Sequence, residues 1–276
     1  MTDIRLFGYS DPLSAKAGDP IDFMISAEGT NTASAKISRL VHGDYNKEGP
    51  GFIEESIESD VPISIDVKRQ YTQGGSFIQM NDKDNLLSLT KSFSLHAFIW
   101  PTMPGHQRQT IIGRWSVSSL KGYALGINPD GKLEFWVGDG TKIDKVTAEV
   151  ALVPKVWVFV AVTYNCVSGE TTIVQESVQN SWNSIIGPVT PYNHNSVVTE
   201  NLRVKPATDD ILFLLAGANE ENKERGSFVS MLYNGKIDRC GVVDRILSQD
   251  ELNLVKGGNI PENPLAYWDT TAGYTD

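Results

Sequence analysis

The sequence sets an imidazole and a carboxylate side by side once, in the run His42-Gly43-Asp44-Tyr45-Asn46-Lys47-Glu48-Gly49-Pro50-Gly51. A His-x-Asp pair is a start toward acid–base catalysis or metal binding, but either chemistry needs a third group, a nucleophile or a further ligand, which this run lacks. Its glycines and proline also describe an ordered loop in which Asp44 accepts backbone N–H bonds and His42 packs. Asp44 is therefore expected to be a buried structural acceptor whose loss destabilises the fold.

Other chemistries find less support. His96 lies in an alternating strand pattern and is expected in the core, whereas His106 and His194 fall in loops and are expected to be solvated. Cys166 and Cys240 are far apart and form no CxxC pair, so they read as reduced thiols rather than a disulfide or zinc framework. No Gly-x-Ser-x-Gly elbow presents a nucleophile, and no strand carries paired carboxylates for glycoside hydrolysis. Glu134, in Leu-Glu-Phe-Trp, reads as a lone charge. Sugar stacking requires exposed aromatic side chains. Trp100, Trp136 and Trp157 sit in apolar strands where burial is the default, which leaves Trp182 and Tyr192, in the Pro/Asn-rich segment 179–195, as the candidate stacking pair.

The 276 residues carry 24 Lys and Arg against 34 Asp and Glu, a formal charge of −10, and the longest basic run is Lys68-Arg69. Such a chain repels phosphate backbones and anionic lipid, so neither nucleic acid nor a membrane is an expected partner. Met1-Thr-Asp-Ile-Arg-Leu-Phe-Gly has no basic segment leading into an apolar one, and no stretch is apolar enough to span a bilayer. A cytoplasmic location is the expectation.

The elements that must position these groups are strands. Residues 4–9, 21–27 and 34–41 alternate apolar with polar, punctuated by Ala17-Gly18-Asp19-Pro20 and Glu28-Gly29-Thr30-Asn31-Thr32, and predict a small antiparallel unit over 1–69. From 70 to 276 the strand pattern continues with a denser core. In Phe93–Trp100, Phe93, Leu95, Ala97 and Ile99 form one face and His96, Phe98 and Trp100 the other, so both faces are expected to be covered. Further strands are predicted over 76–80, 110–115, 122–127, 132–137, 145–149, 156–164, 171–176 and 211–216. The last is uncharged and is expected inside a sheet or at an interface. One helix is predicted, opened by the capping box Ser248-Gln-Asp-Glu251 and stopped by Gly257-Gly258. The fold class is all-β, two packed sheets with one short late helix.

Residues 92–164, with Ser-Phe-Ser-Leu-His-Ala-Phe-Ile-Trp, Gln-Thr-Ile-Ile-Gly-Arg-Trp and Gly-Lys-Leu-Glu-Phe-Trp-Val-Gly-Asp-Gly, resemble the laminin-G-like, concanavalin-like jelly roll. Phe228–Asp238 followed by Asp244–Leu252 resembles its closing hairpin and helix. That fold often holds calcium through an aspartate near the terminal strand, which makes Asp269 the candidate metal ligand. A narrower resemblance lies in Arg39-Leu-Val-His-Gly-Asp-Tyr-Asn-Lys-Glu-Gly-Pro-Gly-Phe-Ile-Glu-Glu55 and Pro264-Leu-Ala-Tyr-Trp-Asp269, which are similar to the large subunit of the N,N-dimethylformamidase family.

That resemblance implies amide hydrolysis at a mononuclear iron held by two tyrosines and a glutamate. Those ligands belong to an amidotransferase-like domain downstream of the jelly roll, so no catalytic residue and no iron ligand is expected in this chain. It also implies a small helical subunit as partner, and an oligomer. The expected function is a non-catalytic scaffold and assembly module of such a hydrolase, with a free-standing lectin-like module, binding carbohydrate or protein, as the alternative.

Overall fold

A computed structural model describes residues 3–46, 48–62, 64–178 and 194–270. The chain divides between Thr72 and Gln73 into two units; the sequence reading sets the boundary at 69/70.

In the first unit, β1 (Arg5–Asp11) pairs antiparallel with β2 (Asp22–Glu28), β3 (Thr32–Ser34) with β6 (Ser64–Asp66), and β4 (Ile37–Gly43) with β5 (Phe52–Ile57). Of the run predicted as one strand over 34–41, Ser34 ends β3 and pairs with β6, while residues 37–41 belong to β4 and pair with β5. Val67 N–H donates to Asn31 O, extending the β3–β6 pairing past β6, and Ala27 N–H of β2 donates to Lys68 O.

The second unit is a two-sheet sandwich. One sheet runs in the order β12 (Ile143–Ala151), β11 (Lys132–Asp139), β10 (Lys121–Ile127), β9 (Gln109–Ser116), β16 (Leu214–Leu215), β7 (Ile78–Gln79). The hairpin of β17 (Ala218–Asn222) and β18 (Gly226–Ser230) joins it through β9. The other sheet runs β15 (Ser196–Asn201), β14 (Glu170–Ser177), β13 (Val158–Tyr164), β8 (Phe93–Pro101), β19 (Gly235–Val243), β20 (Ala266–Trp268). The predicted strand 211–216 shrinks to β16, which lies inside its sheet between β9 and β7.

Alternation along the strands builds the core. Phe93, Leu95 and Ile99 of β8 meet Tyr123 and Leu125 of β10 and Phe135 of β11. The Phe93 ring lies 4.7 Å from that of Tyr123 and 5.3 Å from that of Tyr164. The opposite face of β8 is also covered: Phe98, with Phe159, Ala161, Val174 and Val243, packs under Leu247 and under Leu252 and Val255 of α1 (Gln249–Lys256). Ser248 opens α1 as the sequence predicts. Its Oγ accepts from Glu251 N–H at 3.3 Å while Glu251 Oε2 accepts from Ser248 N–H at 2.8 Å.

The expected closing hairpin within 228–238 is corrected. β18 pairs with β17, whereas β19 pairs with β8 and β20, so the two strands belong to different sheets. Met231, with φ of 47°, stands in the left-handed region in the connection between them.

Candidate functional site

The His42–Asp44 loop is a turn. Asp44 Oδ1 accepts from Asn46 N–H at 2.8 Å, Gly49 N–H donates to Asn46 O at 3.1 Å, and Tyr45 stacks on Phe52 with ring centroids 4.9 Å apart. Asp44 is only half-buried and, among the described residues, accepts one backbone bond, not the several expected of a buried carboxylate. No hydrogen bond joins it to His42. That side chain sits at the register position facing Ile53, and its Nδ1 is buried without a partner. The two groups form no acid–base dyad.

A denser polar cluster lies on the outward face of the β9–β12 sheet. Along the register Trp115–Gly122–Gly138, and beside it at Gly126, glycines leave room for two indoles to lie flat on the strands. A Cβ on Gly138 would stand 2.9 Å from the Trp115 indole, and one on Gly126 would stand 2.6 Å from that of Trp136. The indoles meet edge to face, 6.1 Å apart at 88°. Ala124, Ala218 and Met231 pack with them, and Trp115 and Trp136 are 3 % and 2 % exposed. Arg108 covers Trp136, its Cζ 5.1 Å from a ring centroid.

Glu134, read from sequence as a lone charge, is the centre of this cluster. It is fully buried, accepts from Arg108, from Thr147 Oγ1 at 2.9 Å and from Lys145 Nζ at 3.2 Å. Burial pushes its pKa up, but the hydrogen bonds and charge of Arg108, with Thr147 and Lys145, outweigh it and hold the carboxyl below its ordinary value. The sequence signal was indirect: Glu134 points away from Leu133 and Phe135, and its partners come from a loop and a neighbouring strand.

A second cluster pins the chain before β8. Arg114, on the inner side of β9, donates to Asp82 at 2.9 Å, to Asn85 Oδ1 at 3.1 Å and to Thr208 O at 3.2 Å. Tyr123 Oη donates to Leu87 O at 2.7 Å. The adjoining cavity of about 510 Å³ includes Asp82, Ser88, Arg114 and Thr208 in its lining. Arg114 turns its guanidinium toward protein acceptors on three sides, so this is an anchoring knot.

His96 is buried as expected but not satisfied. It lies on the outer face of β8 between the rings of Phe159 and Tyr267 and over Gly241, where a Cβ would stand 2.0 Å from its Nε2. Neither ring nitrogen has a hydrogen-bond partner. Burial lowers its pKa to about 4, opposed by the Arg239 backbone. His106 is exposed, whereas His194, expected to be solvated, is half-buried with Nδ1 3.2 Å from Ala151 O.

Asp269 follows β20. The next residue, Thr270, donates its hydroxyl to Asp238 Oδ1 at 2.7 Å, and the described residues include no group of three His, Cys, Asp or Glu side chains placed to hold a metal ion. Trp182 and Tyr192 lie outside the described residues. Cys166 and Cys240 are both free, and burial pushes the Cys240 thiol up. No described helix is long and apolar enough to cross a membrane.

A two-sheet sandwich with a helix over one face and indoles packed on the other defines the class. The family model of the concanavalin A-like lectin/glucanases superfamily matches residues 72–253, and the chain belongs to that family. Two curated relatives are each named N,N-dimethylformamidase beta subunit. The protein from Alcaligenes sp is 35 % identical over 278 residues and that from Paracoccus aminophilus 35 % over 279. Each alignment covers 99 % of this chain but 36 % of the relative, so the chain spans about a third of the length of the curated relatives it matches. Among solved structures, the Ruminococcus gnavus IT-sialidase CBM40 bound to alpha2,3 sialyllactose has 15 % identity and a TM-score of 0.47, covering 66 % of this chain and 92 % of that one.

Proposed function

We propose that this chain is a non-catalytic scaffold and assembly module of an N,N-dimethylformamidase-like amide hydrolase. The observation that carries the reading is the alignment. Identity of 35 % runs through 99 % of this chain, both units included, yet takes in only 36 % of each beta subunit. Hydrolysis of the C–N bond then belongs to polypeptide beyond the matched part, in an amidotransferase-like domain that also holds the iron. We take the beta subunit to be the large subunit, and the small helical subunit to be a further partner in an oligomer. A cytoplasmic location belongs to the same proposal.

The polar clusters support this reading by what they do. Glu134 with Arg108, and Arg114 with Asp82, tie strands and loops of the sandwich to one another, and the indoles that a sugar-binding face would offer at Trp115 and Trp136 are packed away. The test is co-expression with the portion of the Paracoccus aminophilus beta subunit that this chain does not match, together with the small subunit. Amidase activity that requires both the chain and that portion supports the module reading. Full activity of the unmatched portion without the chain, and no physical association between them, contradicts it.

A further inference from the structure

Among its described residues the first unit is a set of ribbons with little interior. Each of its three sheets has two strands, and such a pair is at best marginally stable unless an apolar face packs on something else. Ala27 and Val67 are the buried apolar side chains among its described residues. Phe7, Tyr9 and Phe23 stand outward, 61 %, 64 % and 68 % exposed, and with Met24, Ile25 and Tyr71 they line a groove of about 1100 Å³. A monomeric soluble domain rarely leaves a contiguous apolar patch of more than a few hundred Å² open to water.

The edges differ in a way that selects one of them. β5 carries Glu54 and Glu55 along its length, charges that deter edge pairing, whereas β1 is uncharged from Leu6 to Ser10 and presents its aromatic residues there. Among the described residues β1 pairs with β2 alone, which leaves its other edge open to a further strand, and Phe7, Gly8 and Tyr9 of β1 line the groove.

We propose that this unit is the open half of a β-sandwich, closed by an amphipathic β-strand added at the β1 edge with its apolar face in the groove. The occupant is polypeptide of the kind that forms the unmatched remainder of the dimethylformamidase beta subunits. Those relatives share this unit within a 99 % alignment and continue well beyond the match, so they carry chain available to close it. The inference rests on the accessory-module reading. Charge also narrows the choice: residues 1–72 hold 12 acidic and seven basic side chains, a rim that repels anionic lipid and favours a neutral or basic strand.

Hydrogen–deuterium exchange of the whole 276-residue chain, alone and with the unmatched portion of the Paracoccus aminophilus beta subunit, tests this. Alone and monomeric, the Leu6–Ser10 amides should exchange about 100-fold faster than those of β8 and β13, and the added polypeptide should slow them by about 10-fold or more. Tyr9→Lys, at an exposed position, should abolish the slowing while the Ala27 amide, which donates to Lys68 O, keeps its protection and reports that the unit is folded. Protection of Leu6–Ser10 equal to that of β8 in the monomer, or gained by self-association, overturns the proposal. Binding that leaves Leu6–Ser10 unchanged overturns strand addition while the module reading stands; no binding at all overturns the module reading and this inference with it.

Discussion

The Trp136 indole lies across Gly126 so closely that a Cβ there would stand 2.6 Å from its Cη2 and 2.1 Å from Gln109 O. The face of the sheet is thereby filled by the chain's own aromatic side chain. Gly126→Ala should destabilise the second unit by about 1–3 kcal/mol through overpacking, read as a lower denaturant midpoint. An unchanged midpoint would show that the indole moves aside at little cost, and that this face is looser than the packing implies.

Glu134→Gln should also destabilise the sandwich. Arg108 and Lys145 keep partial access to water, so the loss is nearer that of a charge-assisted hydrogen-bond pair than of a sealed ion pair, about 1–3 kcal/mol. Because the folded carboxyl is held below its usual value, its contribution is present above the unfolded pKa and is lost as pH falls through the folded one. Denaturation at pH 7 and pH 4 should show a smaller acid loss in the variant than in the parent.

His96 supplies a second acid-sensitive contribution with a different window. Its folded pKa is about 4 against an ordinary 6.5, so between those values the unfolded chain binds a proton that the folded chain refuses. Stability should fall as pH drops through this range, by up to about 3 kcal/mol. His96→Leu should flatten that slope. A slope identical to the parent's would mean that His96 is hydrated or protonated in the fold.

Asp44→Ala should cost about 0.5–1.5 kcal/mol, the worth of one ordinary hydrogen bond, since among the described backbone donors the half-buried carboxylate accepts from Asn46 N–H alone. Exchange at the Asn46 amide should quicken while the strands of the second unit are unaffected. Loss of more than that would restore the buried-acceptor role that the sequence implied.

What could be read from the sequence was local. The Ser248–Glu251 capping box and the two apolar faces of 93–100 were legible because each is settled within a few residues. The hairpin expected at 228–238 failed because strand partners are chosen by the sheets, and β19 finds β8 across more than a hundred residues of chain. Glu134 looked solitary for the same reason: Arg108 lies 26 residues away and Thr147 13. His42 and Asp44, adjacent but one in the chain, are turned to different work by the β4–β5 register and the turn at Asn46.

Dimethylformamide turnover and metal content of the purified 276-residue chain test the scaffold-module reading. A non-catalytic module shows neither turnover nor stoichiometric iron, and activity appears only when polypeptide corresponding to the unmatched part of the beta subunits is supplied. Turnover by the chain alone, with iron bound in proportion and both lost on substituting one of its own residues, would contradict it.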